Sequence, residues 1–444
     1  VDRAQGLRNT LAHLKKIPGV IDVKICLISN IYEPYQLGGT EFYVKTLVKA
    51  LKLRGHDVFV ITTRPIWGSS KTSAKEVVDG VRVYRFYPWN VYWGYRAQRK
   101  PFFLKAIWHF IEVWNPHVYL YVKRIFARER PEVIHLNNVG GLSNSIFWAC
   151  KGDGARVVYF LHDYLSVCPK SILLKANNDL CEKPRALCRM YQGLKRVNLR
   201  HRVDAFISPS HFLLEMHREC NSVSTGETAV VPYGIEVASE KLEELRNLKE
   251  NRGSTGPINI LYLGRVNKLK GLLVLSQAFK RINRNDLRLH IAGVGDCLPQ
   301  LQSEFQGNES VTFHGYVSGR AKEELLLLCD VCVLPSIWYD NNPLVVLEAY
   351  KYGLPVIGSR IGGIPEMIQE KKTGFLFDPG NYEDLASVLE SVSKQQLHAM
   401  SPACNEAAMS YSMENHLNRL MAVYRGRQEK PEVQGEHELS LIHI

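Results

Sequence analysis

Residues 334–358 read LPSIWYDNNPLVVLEAYKYGLPVIG, and this stretch decides the fold. The apolar run that enters it, Asp330 to Leu334, has the length and composition of a buried strand. Pro335 and Ser336 stop that strand. Asn342 is a favourable N-cap, and Pro343 suits the first helical turn, where a missing N–H costs little. Leu344 to Tyr352 then reads as a helix. Gly353 ends it and Pro355 blocks its continuation. Two carboxylates flank the turn, Asp340 before the helix and Glu348 inside it. From spacing alone two readings stay open. Either the acids complement the helix dipole and meet solvent, or the helix N-terminus faces an anion and the acids grip hydroxyls beside it.

Outward from this stretch, strands and helices alternate. In the second half of the chain the strands are Ile258 to Leu263, Arg288 to Ala292, Val311 to Phe313, Asp330 to Leu334, Pro355 to Gly358 and Phe375 to Phe377. In the first half, strand Lys24 to Ser29 runs into a loop holding Gly38 and Gly39. Helix Thr40 to Arg54 and strand Val58 to Thr62 follow, completing a βαβ unit. Glu132 to Leu136, Arg156 to Leu161, Ala205 to Ser208 and Ala229 to Val231 continue the series. Val237 to Gly256 is charged and ends in Asn251-Arg252-Gly253-Ser254-Thr255-Gly256, which reads as a short helix and a linker. The expectation is an α/β protein of two doubly wound, Rossmann-like domains with a cleft between them. The domains span 20–236 and 257–403, with 237–256 as linker. A last helix, Cys404 to Arg425 within 404–427, is expected to cross back to the first domain, and 428–444 to be a disordered tail. Leu439 to Ile444 fits nothing before it and is set aside.

Composition bounds the function. The chain has 444 residues, 45% of them hydrophobic, and a net charge of +12. That charge suits phosphates or anionic lipid as partners; nucleic acid is not an expected partner. No apolar run reaches the roughly eighteen residues of a spanning helix, and Val1 to Gly19 lacks the apolar centre of a signal peptide. Ten scattered cysteines fit a reducing cytoplasm. Cys329 and Cys332 read as core thiols within a strand. Cys168, Cys181 and Cys188 leave a metal site open, at a spacing that matches no standard zinc pattern. From Tyr92 to Arg130, Arg96, Arg99, Lys100, Lys105, Lys123, Arg124, Arg128 and Arg130 face only Glu112 and Glu129. Within it Phe102 to Trp114 is apolar around its circumference. Core packing with a basic rim is the preferred reading; a helix lying on an anionic membrane is the other. A nicotinamide-dependent oxidoreductase lacks support, because neither Gly38-Gly39 nor Gly293-Val294-Gly295 completes a GxGxxG.

The residues that carry chemistry lie at strand ends. His162-Asp163 follows a strand, where open α/β sheets place ligands; a histidine capped by its neighbouring carboxylate is the structural alternative. Strand Ile258 to Leu263 ends in Gly264-Arg265, and Lys270-Gly271 opens the next helix. Two cations so placed form a receptor for a diphosphate. With Asp340, Glu348 and Gly38-Gly39, the chain resembles the retaining glycosyltransferases of the GT-B fold, typified by bacterial α-mannosyl- and α-glucosyltransferases. The resemblance runs from about Val23 to Arg425. It includes Arg54-Gly55-His56, Pro131-Glu132-Val133-Ile134-His135-Leu136-Asn137-Asn138, His162-Asp163, Val231-Pro232-Tyr233-Gly234-Ile235-Glu236, Gly264-Arg265 with Lys270-Gly271, Gly293, His314-Gly315, the pair Asp340 and Glu348, and Gly362-Gly363-Ile364-Pro365-Glu366.

The resemblance implies roles. Arg265 and Lys270 bind the donor diphosphate and stabilise the leaving nucleotide. Glu348 holds the ribose hydroxyls. Asp340 contacts the transferred sugar with Asn342 and the amides near Pro343 and Leu344. His162 lies beside the reacting sugar, and Gly38 and Gly39 bring backbone N–H groups to the phosphate. In this family the first acid of the pair is usually Glu; Asp340 is one methylene shorter, about 1.5 Å. A nucleotide-diphosphate sugar is the co-substrate, with no cofactor and no metal expected. The acceptor is a saccharide or a lipid-linked saccharide, and the expected location is the cytoplasm or the inner face of its membrane. Two other functions fit the same fold: a sugar-nucleotide 2-epimerase, and a non-catalytic saccharide- or lipid-binding protein. The Asp340–Glu348 pair and the intact cations favour transfer over both.

Overall fold

The computed structural model describes residues 22–35, 38–66, 73–93, 101–152, 154–175, 179–181, 184–223, 226–250 and 256–426. The first nineteen residues, Arg96, Arg99, Lys100, the end of the expected linker and the expected tail lie outside the described residues. Two compact units emerge. One takes the described residues up to Pro209, Leu213–Val231 and those from Leu417 on; the other takes Ser210–Phe212 and Pro232–His416.

The first unit runs β1 (Lys24–Ile28), α1 (Gly39–Leu53), β2 (Asp57–Thr63), β3 (Lys75–Val78), β4 (Val81–Phe86), α2 (Phe102–Val113), α3 (Pro116–Glu129), β5 (Val133–Leu136), α4 (Ser145–Cys150), β6 (Arg156–Phe160), α5 (Ala186–Leu199), β7 (Ala205–Ser208), α6 (His211–Glu219) and β8 (Glu227–Val230). The strands form one sheet in the order β3-β4-β2-β1-β5-β6-β7-β8. It is parallel except for β3, which pairs antiparallel with β4. β1 sits at its centre, with Ile25 opposite Val58 on one side and Val133 on the other. Strands covered on both faces need near-continuous apolar runs, and Ile25, Cys26, Leu27 and Ile28 are all fully buried.

The second unit runs α7 (Ser239–Glu250), β9 (Ile258–Leu263), a 3-10 turn (Lys268–Lys270), α8 (Leu272–Arg281), β10 (Leu287–Ala292), α9 (Leu298–Glu304), β11 (Val311–Gly315), α10 (Arg320–Leu328), β12 (Val331–Leu334), α11 (Leu344–Lys351), β13 (Val356–Ser359), β14 (Gly374–Phe377), α12 (Tyr382–Ser391) and α13 (Lys394–Ser410). Its six strands are parallel, in the order β11-β10-β9-β12-β13-β14. Its core packs Ile260 and Tyr262 of β9 with Leu275 of α8, Val333, Ile357, Phe377 and Leu389. The last helix, α14 (Met413–Tyr424), begins in this unit and ends in the first.

The expected strands form, with ends shifted by a residue or two. Four features differ from expectation. The hairpin β3–β4 was not anticipated. Arg82 and Arg85 interrupt its apolar pattern, but both are neutralised: Arg82 meets Asp57 at 3.0 Å and Glu129 at 3.2 Å, and the fully buried Arg85 meets Glu76 at 2.5 Å. The single helix expected from Cys404 to Arg425 is two helices. The chain opens at Tyr411–Ser412, where Ile235 donates to the Tyr411 carbonyl at 2.9 Å and accepts from the Met413 amide at 2.8 Å. Helix α2 is not a core helix. Trp108 is buried, while Phe103, Ile107, Phe110 and Trp114 are exposed. Finally, the short helix expected after Val237 is α7, which counts with the second unit and buries Leu242 and Leu245. Among the described residues no helix is long and apolar enough to cross a membrane.

Candidate active site

The order of the second sheet reverses at one place. The chain leaves β9 for β10 on one side, and β12 then returns to the other side of β9. The loops after β9 and β12 therefore diverge from neighbouring strand ends, which is where open α/β sheets bind ligands. The predicted residues of this unit fall on those two loops and the start of α11.

After β9 the chain makes the 3-10 turn, which Asn267 caps by accepting the Lys270 amide at 3.0 Å. Gly271 follows with φ +71°, and a Cβ there would lie 1.6 Å from the Pro335 carbonyl oxygen. Glycine thus lets the two loops close on one another, and Ile337 ties them further by donating to the Leu269 carbonyl at 3.0 Å. The result is an ion pair across the switch point: Lys270 Nζ lies 2.6 Å from Asp340 Oδ1. Asp340 is buried and also accepts from the Ser336 hydroxyl, while Lys270 is partly exposed. Ser336 is itself held at its carbonyl by the Ser359 hydroxyl at 2.6 Å, from the end of β13. A third loop grips the same segment: Gly363 donates to the Asp340 carbonyl at 2.7 Å, and Gly362, at φ +64°, has room for no side chain because a Cβ would sit 2.4 Å from that oxygen. Asp340 is therefore fixed at side chain and backbone.

Beside this pair lies an unsatisfied donor. The Trp338 ring centroid is 5.4 Å from Lys270 Nζ, and its buried indole N–H has no partner among the described residues. A buried N–H without an acceptor costs stability, and an oxygen-rich ligand beside Lys270 would remove that cost. Arg265 is exposed on the same loop, and its carbonyl accepts from the Tyr262 hydroxyl at 2.6 Å. Glu348, one turn into α11, pairs with Lys322 at 2.7 Å, both half-exposed. Asn342 does not cap α11 as expected. The N-cap position is Pro343, and Asn342 Oδ1 instead faces the Tyr233 amide at 3.3 Å. Leu344 is the first helical residue, so its N–H belongs to the unpaired first turn of the helix.

The first sheet has its own switch point, between β1 and β5. Gly38 and Gly39 start α1 after β1. The Gly38 amide already donates to Glu41 Oε2 at 2.7 Å, so that amide is committed within the helix start. His162 follows β6. Its Nε2 lies 3.0 Å from Asn137 Oδ1, at the end of β5, and its ring stacks on Phe160 with centroids 4.5 Å apart. The Asn137 amide nitrogen faces backbone carbonyls, so its oxygen accepts and His162 Nε2 carries the proton. Asp163 does not cap His162: its carboxylate accepts the Leu165 amide at 2.8 Å, and burial pushes it up to about 6. Below it, burial pushes the His217 imidazole down to about 4; that ring bonds the Asp163 carbonyl at 3.0 Å and the Ser222 hydroxyl at 2.8 Å.

Cys168 is buried and Cys181 and Cys188 are half-exposed, and no group of His, Cys, Asp or Glu suited to a metal occurs among the described residues. Cys329 and Cys332 are buried, and burial pushes the Cys332 thiol up to about 12. Sequence reading gave no site role to Asn137, Asn267, Ser336, Trp338, Ser359 or Lys322. Asn267 and Ser336 were legible only as turn formers: the partners of their side chains, Lys270 and Asp340, lie three and four residues on, but that spacing is shared by ordinary turns.

Two family models match the chain. Glycosyl transferases group 1 matches residues 244–410, and Glycosyl transferase 4-like domain matches residues 38–234. An uncharacterized glycosyltransferase of Methanocaldococcus jannaschii, MJ1607, is 24% identical over 91% of this chain and 98% of its own length. Sucrose-phosphate synthase from Thermosynechococcus elongatus shares the fold with a TM-score of 0.68 and 22% identity, over 90% of this chain and 98% of that one. The Anabaena protein HepE, solved in complex with UDP-glucose, has a TM-score of 0.62 and 17% identity, over 91% of this chain and all of its own. Two parallel-sheet α/β units of this kind, matched in turn by these two family models, place the chain in the group 1 glycosyltransferases of the GT-B fold.

Proposed function

We propose that this glycosyltransferase moves a hexose from a nucleotide-diphosphate donor to an acceptor hydroxyl, with retention at the anomeric carbon. The observation that carries the reading is the Lys270–Asp340 pair at the switch point, 2.6 Å apart, beside the unsatisfied Trp338 indole. A diphosphate arriving there gives Lys270 a second anionic partner, and Arg265, exposed on the same loop, a first phosphate contact. Asp340, still held by Ser336 and Gly363, then offers to the sugar hydroxyls the oxygen that Lys270 had paired. Glu348 exchanges or shares Lys322 for the ribose hydroxyls, and the first amides of α11, by Pro343 and Leu344, add donors. His162 and the Gly39 amide take the roles that the resemblance implies, toward the sugar and the phosphate. Asn342, held by Tyr233, acts by fixing the loop. A relative solved with UDP-glucose supports the donor class.

The glycosidic bond to the diphosphate breaks as an oxocarbenium-like centre forms, and the acceptor oxygen attacks on the face the nucleotide leaves. Its proton passes to the departing phosphate oxygen. Charge developing on that oxygen is met by Arg265, Lys270 and helix amides, so protein groups supply the electrostatic stabilisation and no metal is required. The acceptor is a saccharide or lipid-linked saccharide hydroxyl, in glycan or cell-surface polysaccharide synthesis.

A nucleotide-release assay across common nucleotide sugars, with NMR of the product anomer, tests this. One donor is expected to give release that depends on acceptor, and an axial or equatorial product matching the donor. Release without glycosidic product, with a 2-epimer recovered instead, would identify an epimerase. Binding without turnover of any donor would identify a saccharide-binding protein.

A further inference from the structure

Helix α5 has three faces. Lys195, Asn198 and Leu199 point inward and are buried. Leu187, Met190, Leu194 and Val197 recur at steps of three, four and three, which aligns them in one stripe, and that stripe is exposed: Leu187 by 74% and Val197 by 64%. Arg185, Arg189, Arg196 and Arg200 form the remaining exposed flank. The segment from Arg185 to Val203 contains no acid, and none of these four arginines meets a carboxylate among the described residues. Solvent-facing large apolar residues usually occur singly; four in register beside four arginines without a carboxylate partner among the described residues do not fit a solvated helix.

The neighbouring helix also exposes apolar residues. Lys195 of α5 reaches Asn144 Oδ1 at 2.7 Å and Glu112 of α2 at 3.9 Å, so the inner faces of the two helices meet at one buried polar centre. On α2, Phe103, Ile107 and Phe110 form a second exposed apolar stripe, with Phe110 80% exposed, and Trp114, just past its end, is exposed too. Two adjacent helices of the first unit thus present large apolar residues to solvent.

We propose that α5, with α2 beside it, docks the first unit on an anionic lipid bilayer. The apolar stripe enters the acyl boundary and the arginine flank meets lipid phosphates, which is the composition of an interfacial helix. The charge selects the occupant: an apolar face meant for a second copy of this chain would set arginines against arginines, and a neutral partner would leave them unpaired. This surface shares no residue with the switch-point site of the second unit, so it stands or falls separately from the proposed reaction.

The test is flotation of the full chain with vesicles of phosphatidylcholine alone or with phosphatidylglycerol. Binding is expected only with the anionic lipid, weakening as salt rises. Arg189→Ala and Arg196→Ala should each lower the partition coefficient about fivefold, and Leu187→Ser with Val197→Ser should abolish it. Arg320→Ala, on exposed α10, removes the same charge elsewhere and should change nothing. Should the double variant fail to fold, hydrogen exchange of the unaltered chain decides, with slowed exchange at 185–200 expected on anionic vesicles. The proposal is overturned by no binding at low salt, by equal binding to neutral vesicles, by binding that leaves 185–200 unprotected, or by light scattering that shows a dimer lost in the α5 variants.

Discussion

At the residue scale the candidate site rests on one cation and one acid that hold each other, Lys270 and Asp340. Lys270→Ala should lower kcat about a hundredfold, the scale of about 3 kcal/mol for a preorganised partner of developing charge. Arg265→Ala should do the same, and near-normal turnover in both folded variants would remove the diphosphate site. Glu348→Gln should weaken nucleoside diphosphate binding by about 1.5–3 kcal/mol in calorimetry; its half-exposed pair with Lys322 is worth too little for the fold to notice. Asp163 and His217 supply a pH prediction. Burial raises Asp163 to about 6 and lowers His217 to about 4. A raised carboxyl gives stability at low pH that is lost as pH rises toward 6. A depressed imidazole gives stability above about 6.5 that is lost as pH falls toward 4. Between those limits the two slopes oppose. Asp163→Asn leaves only the histidine, so its stability should fall with acid faster than the parent's, by up to about 1.4 kcal/mol per pH unit. Urea titrations at pH 4.5 and 6.5 measure the difference; equal differences at both would refute it. The sequence displayed Arg265, Lys270, Asp340 and Glu348 because charged residues beside strand ends stand out. It hid Ser336 and Trp338, whose meaning depends on contacts and not on spacing, and it suggested a capping role for Asn342, whose side-chain oxygen instead accepts from the Tyr233 amide.

Among elements, the tightest joint is the one between the loops after β9 and β12. Gly271→Ala places a methyl against the Pro335 carbonyl in a left-handed backbone conformation. The expected cost is on the order of 3 kcal/mol, read as a lower denaturant midpoint. A variant as stable as the parent would mean that the loops separate freely. Elements with clean periodicity were legible: β1, β9 and β12 are short apolar runs, and α1 follows its glycines as expected. Strand β4 was not, because Arg82 and Arg85 break the alternation, and only Asp57, Glu129 and Glu76, distant in sequence, make them tolerable in a sheet. Helix α2 misled for the opposite reason. Its apolar residues suggested burial, and Phe103, Ile107 and Phe110 face outward.

For the whole molecule, the division into two α/β units was readable from the repeated strand–helix pattern, whereas the break at Tyr411–Ser412 was not, since a helix-friendly sequence there yields to a backbone bridge with Ile235. The end of α14 belongs to the first unit. The Tyr424 hydroxyl bonds His135 Nδ1 on β5, and Arg156 of β6 donates to the Val423 carbonyl at 2.8 Å. A chain cut after Ser412 should therefore lose amide protection in β5 and β6 while β9 to β13 keep theirs, as hydrogen exchange would show; unchanged β5 and β6 would make that tie ornamental. The tie also sets an order of manufacture. A ribosome releases residues at about 5–20 per second, and it delivers Tyr424 only after every residue of the second unit. The first sheet to leave the exit tunnel is thus the last to be finished, and for on the order of ten seconds or more its β5–β6 flank waits for the helix that ties onto it.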